Sequence, residues 1–103
     1  MNIEVRYHKL AENELHDAAK YYESRCSGLG RAFLTEITQA INQISAFPES
    51  APMILDIVRQ KVIHRFPYSI MYVNDDDGVM ILAIANHHRR PFYWGNRISN
   101  FHE

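Results

Sequence analysis

The apolar side chains of this chain change their period once, and the change decides what it can fold into. From Ala11, Leu15, Ala18, Ala19, Tyr22 and Cys26 recur at spacings of three and four. After a break, Phe33, Ile37, Ala40, Ile41 and Ile44 do the same. That spacing puts each set on one face of a helix. Past the proline-bearing residues 47–52 the period becomes two, which is the repeat of a strand. Helices followed by a run of strands imply an α+β architecture, with the helices on one face of a sheet.

The punctuation supports this division. Ser27-Gly28-Leu29-Gly30 separates the two helical stripes, and Gly28 suits the left-handed position past a helix end. The pair has neither the preceding strand nor the spacing of a phosphate loop. Phe47-Pro48 stops the second helix, and the short connection makes the pair an antiparallel hairpin. Residues 57–64 and 66–73 read as strands, parted near Arg65-Phe66-Pro67. Asn74-Asp75-Asp76-Asp77-Gly78 is a hairpin turn, and the unbroken apolar run 79–85 is a buried strand. Residues 3–7 alternate as a short first strand. The predicted order is β-α-α-β-β-β, a helical hairpin on a small, mostly antiparallel sheet. With 103 residues, one domain is expected over 1–103.

Directly after the last strand comes Asn86-His87-His88-Arg89-Arg90-Pro91-Phe92-Tyr93-Trp94, with Arg97 close behind. Cations that can grip an anion, imidazoles that can move a proton and rings that can stack are concentrated at one strand exit. Two readings are open. The segment is an exposed binding surface, or it is a basic turn whose aromatics fold back onto the domain.

Charge is distributed unevenly. Residues 1–58 hold five Lys/Arg and eight Asp/Glu, whereas residues 59–97 hold six Lys/Arg and three Asp. An anion-binding surface therefore belongs to the second half. Arg59, Lys61 and Arg65 share one parity, so they are expected on one sheet face. If the helices cover the other face, these cations lie near His87 and Arg89 in a cationic, aromatic concavity; the alternative is that they keep a wet face soluble. Tyr68 and Tyr72 share the parity of Phe66 and Ile70, so they read as core rings.

Other classes lose support. The single Cys26 excludes an internal disulfide and a cysteine-type zinc pattern, and its place on the apolar stripe reads as packing. Adjacent His87 and His88 point to opposite faces in extended chain and cannot chelate one metal together. No cofactor is implied. No apolar run approaches the roughly 20 residues of a membrane span, and a cytoplasmic location is expected. A sequence pI near 6.6 argues against tight non-specific binding to nucleic acid.

The stretch Ala-x-x-Glu-Leu-x-x-Ala-Ala-x-Tyr-Tyr-Glu from Ala11 to Glu23 resembles part of a known pattern, as do Gly-Leu-Gly-x-x-Phe from Gly28, Arg-Phe-Pro-Tyr-x-Ile-x-Tyr from Arg65, and Ile-Leu-Ala-Ile-x-x-x-x-Arg-x-Pro-x-Tyr-Trp from Ile81. In order, and over nearly the whole chain, they look like the RelE/ParE toxin superfamily in its ParE-like, plasmid stabilization branch. The resemblance implies a β-α-α-β-β-β fold and a toxin restrained by a cognate antitoxin in a hetero-oligomer. ParE-like members are similar to proteins that poison DNA gyrase. RelE-like members instead cleave mRNA on the ribosome, using sheet cations, a strand arginine and a C-terminal Arg or His with a Tyr. Carried over here, the sheet cations fall near Arg59 and Lys61 and the C-terminal pair near His87 and Tyr93. The strand arginine falls on Ser69, and Arg65 could replace it only by reaching the same point from a different position. That departure favours the gyrase-directed branch over the endoribonuclease, a decayed toxin that only binds its antitoxin being a further possibility. Read from strand parity and the strand-exit segment, the candidate anion- or partner-binding set is Arg59, Lys61, Arg65, Arg89, Arg90, Trp94 and Arg97.

Overall fold

A computed structural model describes residues 3–98. Strand β1 (Val5–Tyr7) leads into helices α1 (Lys9–Arg25) and α2 (Leu29–Ala46), followed by β2 (Met53–Leu55), β3 (Val58–Ile63), β4 (Tyr68–Asp75) and β5 (Gly78–Asn86). The sheet runs in the order β1-β5-β4-β3-β2. The β1–β5 pair is parallel and the others antiparallel. The predicted α+β order is therefore observed, with one addition. The short edge strand β2 lies inside what the sequence presents as a connection, because three residues beside Pro52 carry too little pattern to stand out.

Strand β4 begins at Tyr68 rather than Phe66. Pro67 has no amide to give, and the chain turns there, with Tyr68 N donating to Phe66 O at 2.8 Å and His87 N donating to Pro67 O at 2.8 Å. The hairpin tip closes between Asp75 and Gly78. Asp75 Oδ1 accepts the Asp77 amide at 2.9 Å, the local bond that makes Asp a turn residue. Between Met71 and Tyr72 the register with β5 shifts by one residue. This bulge turns both Leu82 and Ala83 towards the face away from the helices.

The helical stripes bury as their spacing requires. Phe33, Ile37, Ala40 and Ile44 of α2 and Ala11 and Ala18 of α1 join Ile63, Tyr68, Ile70, Tyr72, Val79, Ile81 and Ile84 in the main core. Phe33 packs on Phe66 and Tyr68 with ring centroids 5.2 and 5.0 Å apart, mostly edge-on. Two expectations are corrected. Ile41 is only partly buried, and Cys26, at the end of the α1 stripe, is exposed because α1 has already stopped there.

The α1–α2 turn rests on two glycines. Gly28 has φ +88°, and a side chain on Gly30 would stand 2.6 Å from Ala19 O, where the helices pass closest. The Glu23 carboxylate accepts the amides of Gly28 (3.0 Å) and Gly30 (3.0 Å), and these bonds lower its pKa. At the start of α1, His8 caps the helix through Nδ1, which accepts the Leu10 amide at 3.1 Å. Burial lowers the His8 pKa; Arg97 adds to this and Glu14 opposes it.

Ile37→Ala should cost roughly 2–5 kcal/mol in urea unfolding, and Ile41→Ala less, since only the former is fully enclosed. Stability should also depend on pH through His8. Its folded pKa lies below the ordinary 6.5, so the unfolded chain takes up the proton first. Stability is then level above about pH 6.5 and falls as the pH drops towards the folded value. The carboxylate of Glu23 adds a second decline below about pH 4.5. Asparagine at position 8 caps without titrating, so His8→Asn should remove the upper step in thermal unfolding followed against pH.

Candidate functional site

Beyond β5 the chain does not run out into solvent. A series of tight turns, Tyr93 N to Arg90 O, Gly95 N to Phe92 O and Arg97 N to Trp94 O, folds residues 87–98 back over the sheet face opposite the helices. Phe92, in a left-handed conformation at φ 60°, reverses the direction. Trp94 ends 1% exposed in a second core with Val58, Met71, Val73, Leu82, Ala83 and Ala85. The exposed-surface reading of Trp94 is therefore corrected: its ring is packing.

Arg97 is corrected in the same way, with its side chain 7% exposed and held by Glu14 of α1. Its two terminal nitrogens donate to the two Glu14 oxygens at 3.1 and 2.9 Å. Nη1 also donates to Leu82 O at 2.8 Å. Glu14 Oε1 further accepts the Ile84 amide at 3.0 Å, and Oε2 accepts the Tyr93 hydroxyl at 2.7 Å. Arg89 stacks on the Tyr93 ring at 3.7 Å and reaches Glu14 at 3.5 Å. Burial, then the bond to the Glu14 carboxylate, raises the Tyr93 pKa well above the ordinary 10.0. A phenol fixed in this way holds its proton and is poorly placed to pass it on.

Glu14 escaped the sequence reading, although a signal was present. It stands three residues after Ala11 and four before Ala18, inside the apolar stripe of α1. A carboxylate at a stripe position needs a buried cation or donors to meet it.

The folded-back segment covers only part of the sheet. Beside Trp94 it leaves a groove of about 470 Å³, with Val62, Met71 and Ala85 among its lining and Phe92 along it. His87, Arg89 and Arg90 line the same groove, and among the described residues no Asp or Glu does. His87 Nε2 lies 2.8 Å from Ser69 Oγ, which also accepts from Gln60 Nε2 at 3.2 Å. Ser69 is fully buried, so it positions the imidazole and cannot itself meet a substrate. On the other side of Arg89 and Tyr93, a depression of about 400 Å³ is bounded by Glu14, Asp17, Tyr21 and Tyr68.

The remaining cations are elsewhere. Arg59 and Lys61 do share a face, but it is the helix-covered one, because their partners across the ladder, Tyr72 and Ile70, belong to the main core. Arg59 donates to the carbonyls of Glu49 (2.9 Å) and Ala51 (2.7 Å), tying down the connection after α2. Lys61 lies beside Glu36 and Gln43 of α2. Arg65 sits on the β3–β4 turn with its guanidinium over Phe66 at 5.6 Å. The expected concavity of sheet cations beside His87 is thus not formed; His87, Arg89 and Arg90 are brought together, and Arg59 and Lys61 are across the sheet from them. Among the described residues no group of three or more His, Cys, Asp or Glu could hold a metal ion, and no helix is long and apolar enough to cross a membrane.

Residues 5–91 match the family described as the ParE toxin of the type II toxin–antitoxin system, parDE. Among solved structures, the chain is similar to one titled as the chromosomal ParDE TA system from P. aeruginosa, with a TM-score of 0.59. Identity is 16% over 82% of this chain and 95% of that one, a likeness that shows the shared fold. The search of curated proteins returns no match.

Because Arg97 and Glu14 satisfy one another and two strand groups, either alone should be hard to remove. Arg97→Ala and Glu14→Ala should each destabilise by roughly 3–5 kcal/mol, as expected when one member of a mostly buried pair is left behind. The double variant should cost clearly less than the sum in urea unfolding, since both changes break the same contact.

Proposed function

The chain belongs to the ParE toxin family of type II toxin–antitoxin systems, and from that premise we propose that it inhibits growth by binding a protein target, DNA gyrase, and is neutralised in the cytoplasm by a cognate antitoxin. One observation carries the choice of a binding mechanism over a catalytic one. The groups that an endoribonuclease would need are dispersed: Arg59 and Lys61 lie on the helix side of the sheet, and His87 lies on the other. Ser69 stands where the nuclease-type pattern has its strand arginine, and Arg65 is on a turn. A phosphate held by Arg59 or Lys61 would have the sheet between it and the imidazole.

What His87, Arg90 and Phe92 do share is an exposed margin around an apolar groove. This is the composition of a protein-binding surface, in which an apolar centre is rimmed by cations. The bond from Ser69 to His87 and the stacking of Arg89 on Tyr93 also favour binding, because preorganised side chains lose less entropy on association. The antitoxin reading draws on the family and on the ParDE system to which the fold is similar. An acidic, partly disordered partner segment suits the helix side of the sheet, where Arg59 and Lys61 lie.

The deciding experiment is expression without the antitoxin, with DNA supercoiling and mRNA integrity followed together. Supercoiling should fail while mRNA stays intact. His87→Ala should weaken toxicity modestly, within the ~1–3 kcal/mol of an ordinary interface contact. Loss of a proton-transfer group would instead lower a cleavage rate by about 10²–10⁴-fold. Discrete mRNA cuts abolished by His87→Ala would replace this reading with the ribosome-dependent endoribonuclease.

A further inference from the structure

The described residues cover the sheet face opposite the helices only in part. Trp94 and Ile98 pack over Val58, Val73 and Leu82, whereas Val62 remains 40% exposed and Phe92 50% exposed along the adjoining groove. The groove crosses four strands, from Ile54 on β2 to Ala85 on β5. At about 4.8 Å per strand interval its floor is roughly 14 Å long, the reach of about four extended residues. Its apolar floor favours one or two apolar side chains.

Charge restricts the occupant further. Arg90 is exposed, and its guanidinium has no ion pair or hydrogen bond among the described residues. The neighbouring Arg89 differs, being engaged by Glu14 and Tyr93. His87 is exposed and held in one orientation through Ser69. With no carboxylate in the lining among the described residues, the rim would repel a basic segment and attract Asp or Glu beside the apolar residues.

Order before binding separates the two protein partners. A stable interface buries about 800 Å² on each side, so for either partner a four-residue floor is an anchor point within a larger contact. An antitoxin segment that orders as it binds has to recover that entropy over a long contact. A folded target, already ordered, needs only a few well-placed anchors at such a site. The geometry points to this groove as the seat of the target: it takes a short loop that presents one or two apolar side chains flanked by Asp or Glu. The inference rests on the reading of the chain as a protein-binding toxin and adds the surface and the chemistry of the element bound.

The test uses the full chain with purified DNA gyrase, and co-purification with the cognate antitoxin. The variants are Val62→Glu and Arg90→Glu, with Arg31→Glu at an exposed position of α2 as a matched charge reversal away from the groove. Thermal unfolding checks that each is folded, and Arg90→Glu is decisive if Val62→Glu is not. Arg90→Glu should raise the concentration needed for half-inhibition of supercoiling at least about tenfold. Arg31→Glu should leave it unchanged, and both variants should still co-purify with the antitoxin. Wild-type inhibition that Arg90→Glu and Val62→Glu leave intact would overturn the groove assignment alone. Loss of antitoxin binding with inhibition retained would give the groove to the antitoxin and overturn it too. A wild-type chain that inhibits neither gyrase nor growth would remove the underlying reading, and the inference with it.

Discussion

Strand β5 is nine residues long, but its parallel neighbour β1 has only three. The ladder between them ends near the bond from His8 N to Ile81 O, so Leu82 O and Ile84 N have no strand beside them. Both residues are buried, and leaving such groups unpaired costs about 1–3 kcal/mol each. Glu14 and Arg97 resolve this by acting in place of the missing strand. The carboxylate accepts one amide, the guanidinium donates to one carbonyl, and the two bind each other. Arg97 can do so only if the chain returns from the end of β5. The fold-back of residues 87–98, the burial of Trp94 and the groove beside it all follow from that return.

The arrangement also sorts the cations. Arg59 and Arg97 are held by backbone carbonyls, and Arg89 is shared between Tyr93 and Glu14. Their charges serve the fold first. Arg90 and His87 remain directed to the groove, so its electrostatics arise from few side chains on a stiff frame. A surface of this kind discriminates by the cost of placing the wrong charge against it as much as by attraction.

Much of the fold was legible because periodicity reports which side chains share a face. The α1 and α2 stripes and the order of strands follow from it, and so does the common face of Arg59 and Lys61. Parity alone does not say which face that is. Here it is set by Ile70 and Tyr72 across the ladder, a tertiary fact. The bulge at Met71/Tyr72 was hidden for a related reason: in the continuous apolar run 79–85, a slip of one residue changes no residue class. Trp94 misled as part of a charged cluster, although the fold-back reading was available. The sequence clue to its burial lay eighty residues away, in a carboxylate on an apolar helical stripe. For the site, His87, Arg89 and Arg90 come from one segment and line one groove, while Ser69 and Gln60 were given no positioning role because their contact depends on strand register.

Trp94 is the single tryptophan of the chain, so its fluorescence reports directly on whether the Glu14–Arg97 contact holds the C-terminal segment down. The measurement is acrylamide quenching of Trp94 in the wild type, Glu14→Ala and Arg97→Ala, at a temperature where far-UV circular dichroism shows helices and sheet intact. The account predicts a shielded, blue-shifted indole in the wild type and a red-shifted, readily quenched one in both variants. An indole that stays equally shielded in the folded variants would contradict it, since the segment would then be held by apolar packing alone.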